Sequence, residues 1–382
     1  MKKFYYGSHS IDTKDKLAIL KSLDNSLSQG SVLKEFEEKV AKFFRVKYCI
    51  ASSSATAALH LTIRALGLKK KSQSFTSDMT FVATTNACLY NDLKVNLVDI
   101  DIKNFNLDLS KLERKVSIQN SKTKKLIIPV HFGGLPCDMK KIHKFAKKYN
   151  CYVVEDASQA MGAKYLNSYI GNSQYSDATI FSLHPVKSIT SGEGGLTLTN
   201  NKKLADKIRL LRSHGIIKDK KTHWKNDMVS LGYNYKITEF QCALGLSQLK
   251  KLNIFIKKRQ KIANLYIKKF KKLGVLFQES TNPKNYYSAY HYFIIYFKKP
   301  ISAHVQKNFL FYLTRKGIYL GKQYMPIHKH SFYKRLIKEN FPNSEKYFSQ
   351  AFQLPINPNL SLKEIDNISN NVINAIKKFK LS

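Results

Sequence analysis

A length of 382 residues corresponds to two or three domains, and 43% hydrophobic content with alternating strand-like and helix-like stretches predicts a soluble α/β protein. No apolar stretch approaches the length of a membrane-spanning helix. Five scattered cysteines without a CxxC pair argue against a metal or iron–sulfur site and are typical of a reducing cytoplasm, where we expect the protein. The net charge of +39 raises the possibility of nucleic-acid binding. However, only eight of the 65 basic residues are arginine, and the lysines are spread over most predicted helices. We therefore interpret the lysines as residues on solvated helix faces.

Short apolar strands alternate with helix-length segments from residue 48 to about residue 200, after an amphipathic helix at residues 33–44. The predicted strands are residues 48–51, 94–100, 126–130, 152–155, 179–182 and 196–199. The predicted helices between them are residues 55–66, 81–90 and 139–148. Such alternation indicates a mainly parallel sheet with helices on both faces.

The pattern of predicted helices and strands changes in the C-terminal part of the chain. A long helical run from residue 238 to about residue 273 is followed by an aromatic strand at residues 290–297 and a final helix at residues 362–379. We therefore expect a large domain at residues 1–270 and a smaller C-terminal α+β domain at residues 271–382.

Two residues, Asp156 and Lys187, each follow a predicted apolar strand. Lys187 precedes the glycine cluster at residues 192–195, which predicts a compact polar turn around it. A pyridoxal phosphate site requires such a pair, because the amine condenses with the cofactor aldehyde while the carboxylate keeps the pyridine nitrogen protonated. Taken alone, Asp156 could equally well be a helix N-cap, and Lys187 could be one of many surface lysines. Together they predict a pyridoxal phosphate enzyme.

Three further features are compatible with the same cofactor. Residues 50–59 run from a strand through serines into a helix, a pattern that favours phosphate binding but is also that of an ordinary N-cap. Phe81 stands at a strand–helix junction, where it could stack on the pyridine ring or simply belong to the core. Gln159, three residues after Asp156, could hydrogen-bond the oxygen on the ring.

These stretches resemble the DegT/DnrJ/EryC1/StrS sugar aminotransferases, which are pyridoxal phosphate enzymes of fold type I. The resemblance extends over nearly all of the chain and includes residues 129–134, 211–215, 231–239, 242–249 and 324–328. Related enzymes with histidine in place of the lysine are dehydratases. Because this chain has Lys187, the resemblance implies amino transfer.

The resemblance also implies a role for each candidate site residue. Lys187 and Asp156 would be the catalytic pair, the first binding the cofactor aldehyde and the second the pyridine nitrogen. The cofactor-binding residues would be Phe81 on the ring, Gln159 at its hydroxyl, Ser54, Ala55 and Ser182 at the phosphate, and Asn234 at the phosphate of the other subunit. The active unit would be a homodimer with shared sites, without a metal.

Within the family, the likeness is greatest to the UDP-sugar 4-aminotransferases of pseudaminic acid biosynthesis. It implies transfer of an amino group from glutamate to C4 of a UDP-linked 4-keto-6-deoxy-N-acetylhexosamine. The chain departs from that pattern at Ser53 and at residues 188–193, so another 3- or 4-keto nucleotide sugar is the first alternative. A basic nucleic-acid-binding or regulatory protein on the same scaffold is the second, although we expect neither a nucleic-acid nor a membrane partner.

Overall fold

A computed structural model describes residues 2–24, 26–68, 70–120, 123–219, 222, 224–279 and 283–381. The helices are α1 Thr13–Ser22, α2 Ser31–Phe44, α3 Ala55–Ala65, α4 Val82–Leu89, α5 Leu109–Ser117, α6 Met139–Lys148, α7 Lys202–Arg212, α8 Glu239–Leu249, α9 Leu252–Phe270, α10 Ala303–Thr314, α11 Ser331–Lys334, α12 Pro342–Gln350 and α13 Leu362–Lys378. The strands are β1 Phe4–Tyr5, β2 Tyr48–Ser52, β3 Gln73–Ser77, β4 Lys94–Val98, β5 Lys125–Ile128, β6 Cys151–Asp156, β7 Lys164–Tyr165, β8 Ser168–Tyr169, β9 Ala178–Ser182, β10 Gly195–Thr199, β11 Ile216–Lys218, β12 Asn226–Met228, β13 Leu276–Phe277, β14 Tyr286–Tyr287, β15 Phe293–Tyr296, β16 Ile318–Tyr319 and β17 Ala351–Leu354.

The central sheet has seven strands in the order β2-β10-β9-β6-β5-β3-β4. All neighbouring strands are parallel except β10, which runs antiparallel to β2 and to β9. The mainly parallel sheet predicted from the alternating pattern is therefore confirmed. Because β6 and β9 are parallel neighbours, their carboxyl ends lie side by side at one edge of the sheet.

Successive residues on β6 show that both faces of the sheet are buried. Val153 packs into a cluster with residues of α2, α5 and α6, whereas Val154 packs into a second cluster with residues of α3 and α4. Side chains alternate across a strand, so these two clusters lie on opposite faces. The helix layers that the sequence predicted are present on both.

A separate core lies in the C-terminal part of the chain. It joins the antiparallel strands β13, β15 and β17 to helices α9, α10 and α13. Phe4 also packs there, and β1 pairs with β16, so the N-terminus contributes to the C-terminal core. The boundary at residue 270 stays a prediction.

Strand β3 of the seven-stranded sheet was missing from the sequence prediction. Its side chains are mostly polar, but burial is possible because Thr76 Oγ1 donates to Ile128 O at 2.8 Å and Ser74 Oγ donates to Lys94 O at 3.2 Å. The aromatic strand is shorter than predicted, since Tyr290 has a φ of +44° and the strand begins only at Phe293. Among the helices that the structure describes, none is long and apolar enough to cross a membrane.

Candidate active site

The carboxyl ends of β6 and β9 carry the two residues that the sequence singled out. Asp156 is the last residue of β6 and is 6% exposed, and Ser182 is the last residue of β9. Lys187 follows five residues later, in the turn after β9. Ligands of open α/β sheets bind at the carboxyl ends of the strands, so this edge is where a cofactor would lie.

Asp156 is held from several directions. Its backbone N–H donates to Pro129 O at 2.9 Å, which fixes the end of β6. Its carboxylate accepts a hydrogen bond from Thr84 Oγ1 at 2.7 Å and another from Ser158 N at 3.1 Å. The carboxylate therefore has a defined orientation.

The turn around Lys187 folds back on the end of β9. Leu183 N donates to Gly194 O at 2.9 Å, Ser191 N donates to Leu183 O at 3.0 Å, and Lys187 N donates to His184 O at 3.0 Å. Burial lowers the pKa of Lys187 to about 8, while the negative charges of Asp156 and Glu193 act in the opposite direction. A lysine with this pKa has a substantial neutral fraction near physiological pH, which is the form that attacks an aldehyde.

Ser54 and Ala55 lie at the start of α3, beside the same edge. Ser54 is the N-cap, and its Oγ accepts a hydrogen bond from Ala57 N at 3.1 Å, which leaves the hydroxyl proton to donate to a ligand. Gly195 lies between Ser52 and Ser182 in the sheet, and a Cβ atom on it would stand 2.2 Å from Ser54 O. These residues form a narrow cradle at a helix N-terminus, where a phosphate is favoured.

Phe81 and Gln159 are the predicted contacts of the cofactor ring. Phe81 is the N-cap of α4, and 54% of it is exposed, so it is not the core residue of the alternative interpretation. Its ring centroid lies 5.6 Å from that of Tyr324. Gln159 is buried, its Oε1 accepts from Gly133 N at 2.7 Å, and its Nε2 donates to Tyr324 OH at 3.4 Å.

Asn234 is exposed in the single chain that the structure describes. It forms an isolated bridge with Ser213, and the neighbouring Tyr235 O accepts a hydrogen bond from Ser53 N at 2.9 Å. The segment thus lies next to residues 52–54, the serine turn before α3, and the role of Asn234 in a partner's site stays a prediction.

The sequence interpretation gave no role to several residues that the fold brings here. Tyr292 OH and Tyr324 OH are 2.8 Å apart beside Gln159, and Thr84 binds Asp156. His291 is buried, and neither of its ring nitrogens has a hydrogen-bond partner. Burial, followed by the charge of Lys187, holds the pKa of His291 well below its usual value. Thr84 could have been found, since it stands four residues after Thr80 across a predicted helix start.

No three histidine, cysteine, aspartate or glutamate residues are grouped as metal ligands within the described part of the chain. An amine, a carboxylate, an exposed ring and a helix N-terminus preceded by serines are instead arranged at one sheet edge. Pyridoxal phosphate has an aldehyde, a pyridine nitrogen, an aromatic ring and a phosphate, so the residues fit this cofactor group by group.

Comparisons with known proteins agree with this fit. The sequence profile described as the DegT/DnrJ/EryC1/StrS aminotransferase family matches residues 9–373. A UDP-4-amino-4,6-dideoxy-N-acetyl-beta-L-altrosamine transaminase of Campylobacter jejuni strain 81-176 is 38% identical over 378 residues, which is 98% of each chain. GDP-perosamine synthase of Escherichia coli O157:H7 is 31% identical over 358 residues, 93% of this chain and 94% of the synthase. The solved structure of Helicobacter pylori PseC, an aminotransferase involved in the biosynthesis of pseudoaminic acid, has a TM-score of 0.90 at 30% identity and covers 99% of this chain and 100% of PseC.

Proposed function

The chain belongs to the DegT/DnrJ/EryC1/StrS aminotransferase family, and we propose that it transfers an amino group from glutamate to C4 of a UDP-linked 4-keto-6-deoxy-N-acetylhexosamine. It is a pyridoxal phosphate-dependent sugar aminotransferase of fold type I, as predicted from the sequence. The donor, the position of amination and a place in pseudaminic acid biosynthesis are parts of the proposal.

One observation carries the proposed chemistry. A buried carboxylate ends β6, and a lysine with a pKa of about 8 stands in the turn after the neighbouring parallel strand β9. When bound, pyridoxal phosphate supplies an aldehyde carbon for the amino group and a ring that withdraws electrons. Lys187 would bind the aldehyde carbon, and Asp156 would keep a proton on the ring nitrogen.

The remaining candidate residues would hold the cofactor in place. Phe81 would cover one face of the ring and exclude water from it. The amide of Gln159, already oriented by Gly133 N–H, would contact the ring hydroxyl. Ser54 and Ala55 would hold the phosphate, together with Ser182 on β9, because they flank the cradle at Gly195.

Lys187 also has the properties of a proton carrier. Once the amino group of a substrate had taken its place, the Lys187 amine would be free again, and a pKa of about 8 would let it both take up and release a proton near neutral pH. In our proposal it moves a proton between the substrate carbon and the aldehyde carbon of the cofactor. Glutamate would load the amino group in a first half-reaction, and the keto sugar would take it in a second.

The UDP sugar is proposed from the relatives. The Campylobacter jejuni relative is named for a UDP-linked 4-amino sugar, and a net charge of +39 favours the approach of a nucleotide diphosphate. The likeness to GDP-perosamine synthase supports the first alternative, another keto nucleotide sugar. The nucleic-acid alternative rests on charge alone. It would be supported if the protein shifted the electrophoretic mobility of random-sequence DNA in a salt-sensitive way.

The homodimer is proposed from an exposed apolar segment next to the site. Trp224, Met228 and Leu231 are 83%, 62% and 69% exposed, and Asn234 lies three residues after Leu231. Large apolar side chains exposed close together in the chain favour an interaction surface. A second copy of the chain would cover them and carry each Asn234 toward the partner's phosphate cradle.

The reducing cytoplasm remains the proposed location, since the five cysteines are free.

A panel of keto sugars tests the substrate. Purified enzyme with pyridoxal phosphate and glutamate is incubated with UDP-linked 4-keto, GDP-linked 4-keto and 3-keto sugars, and the products are identified by mass spectrometry. We expect amination of the UDP-linked 4-keto-6-deoxy-N-acetylhexosamine and none with Lys187→Ala. Preferential amination of another sugar would establish the first alternative, and product from Lys187→Ala would refute the catalytic assignment.

A further inference from the structure

The carboxylate of Asp156 ends a short chain of buried hydroxyl groups. Thr84 Oγ1 lies 2.7 Å from Asp156 Oδ2, and Thr80 Oγ1 lies 2.8 Å from Thr84 Oγ1. Thr80 is 1% exposed and Thr84 is fully buried. The hydroxyls are therefore shielded from water that could replace either contact.

The direction of these hydrogen bonds follows from the acceptor at the end. An ionised carboxylate can only accept, so Thr84 must donate its single hydroxyl proton to Asp156. The Thr84 oxygen can then accept the proton of Thr80. Each bond polarises the next, which makes Thr84 a better donor than an isolated hydroxyl.

The chain of hydroxyls also links two proposed cofactor contacts. Thr80 and Thr84 stand on either side of Phe81, the N-cap of α4. The segment that presents Phe81 to one face of the ring therefore also binds the residue proposed for the ring nitrogen. A shift of this segment would move both contacts together.

We propose that Thr84 is a positioning residue that fixes the orientation of the Asp156 carboxylate toward the ring nitrogen of the cofactor. The inference rests on the proposed function, because it assigns Asp156 to the ring nitrogen. A donor to the charged form of a carboxylate favours that form. If Asp156 instead took the proton from the ring nitrogen, the ring would lose its charge and much of its electron-withdrawing power.

Other groups around Asp156 act on the same carboxylate. Ser158 N–H donates to Oδ1, and Lys187 and Tyr324 both feel the charge of Asp156. Glu155 precedes Asp156 on β6 and is bonded to His131 at 2.9 Å. None of these groups donates to Oδ2, so the removal of Thr84 Oγ1 is not compensated by a described neighbour.

The test replaces one hydroxyl by a methyl group of the same shape. Thr84→Val removes the donor, Thr84→Ser keeps it, and Thr85→Val is the matched control. The Thr85 hydroxyl donates to Val82 O at 3.0 Å and is buried on the same helix. For each variant, the dissociation constant of pyridoxal phosphate and the pH midpoint of the visible band of the bound cofactor are measured.

We expect Thr84→Val to bind the cofactor about tenfold more weakly, because the Asp156 carboxylate would lose its fixed orientation toward the ring nitrogen. Its pH midpoint should rise, since a less positively charged ring makes the attached lysine nitrogen more basic. Thr84→Ser should remain close to wild type, and Thr85→Val should change neither value. Thr80→Val, which only weakens Thr84 as a donor, should cause a smaller change in the same direction.

Equal dissociation constants and equal midpoints for Thr84→Val and Thr85→Val would overturn this inference alone. Thermal unfolding of the variants without cofactor controls for changes in packing. If Thr84→Val does not fold, a dissociation constant and a pH midpoint of Thr80→Val equal to those of the wild type would overturn the inference. A wild-type protein that forms no visible band with pyridoxal phosphate would overturn the proposed function and this inference with it.

Discussion

Gly195 lies so close to Ser54 that a Cβ atom on Gly195 would stand 2.2 Å from the Ser54 carbonyl oxygen. The first strand residue after the Lys187 turn is thus packed directly against the N-cap of α3. No larger side chain fits between β10 and the serine turn. The proposed phosphate cradle therefore depends on a glycine at this position.

Gly195→Ala should push the serine turn away from β10. We expect a loss of about 1–3 kcal/mol in the free energy of unfolding from overpacking, and cofactor binding at least about tenfold weaker. Gly192→Ala is the control, because its φ of +83° costs stability but no atom lies within 4 Å of its Cβ position. Equal cofactor affinities in the two variants, measured by titration, would contradict the cradle.

Asp156→Asn should cripple the reaction while leaving the fold intact. The amide has nearly the same shape but no charge to hold a proton on the ring nitrogen. We expect turnover to fall on the order of 10²–10³-fold, the range for removal of one preorganised electrostatic contact. Sedimentation should show an unchanged oligomeric state, and Asp366→Asn, at an exposed ion pair with Lys269, should have normal turnover. Near-normal turnover of Asp156→Asn would remove Asp156 from the chemistry.

The capture of pyridoxal phosphate by the protein without cofactor should depend on pH through Lys187. Burial lowers the pKa of this amine to about 8, and only its neutral form attacks the aldehyde. The rate should therefore rise about tenfold per pH unit below pH 8 and level off above it. Growth of the visible band after rapid mixing measures this rate. A rate that still rises above about pH 9 would indicate a lysine with an ordinary pKa.

His328 should make the free energy of unfolding depend on pH, so that the protein is more stable at acidic than at alkaline pH. Burial lowers its pKa, but hydrogen bonds of its ring to Asp78 at 2.8 Å and Glu345 at 3.0 Å outweigh burial and raise the pKa above the usual value. A raised pKa stabilises the fold below the unfolded pKa of about 6.5, and this contribution is lost as pH rises through the folded pKa.

His328→Gln should reduce the free energy of unfolding by about 1–3 kcal/mol at pH 6 and by less at pH 8. The loss arises because Asp78 is fully buried and would lose its charged partner. Chemical denaturation at the two pH values measures the difference, with the exposed His304→Gln as control. A pH-independent loss would show that His328 is not charged in the folded protein.

The positions of the candidate site residues were predictable where the sequence signals are local. Asp156 and Lys187 each stand within a few residues of the strand that presents them, so a short stretch of sequence contains both the element and the functional group. Gly195 likewise belongs to a glycine cluster and Ser54 to a run of serines, and both patterns are visible in the sequence. The alternating strands and helices similarly predicted the sheet, because each apolar strand is buried on both faces.

The remaining contacts join residues that are far apart in the chain. Thr84 lies 72 residues before Asp156, and Gln159 lies 165 residues before Tyr324. Strand β3 was missed for a related reason, since its polar side chains are satisfied by carbonyl groups of β5 and of β4, which the sequence does not show as neighbours. These features exist only after the sheet has assembled.

The visible absorption spectrum of the purified protein with pyridoxal phosphate, before and after addition of glutamate, tests the central claim most directly. We predict a yellow band that is absent in Lys187→Ala and that bleaches when glutamate converts the cofactor to its amine form. A band that ignores glutamate would contradict the proposed donor. The absence of any band in the wild-type protein would contradict the assignment of Lys187 and Asp156 to cofactor chemistry.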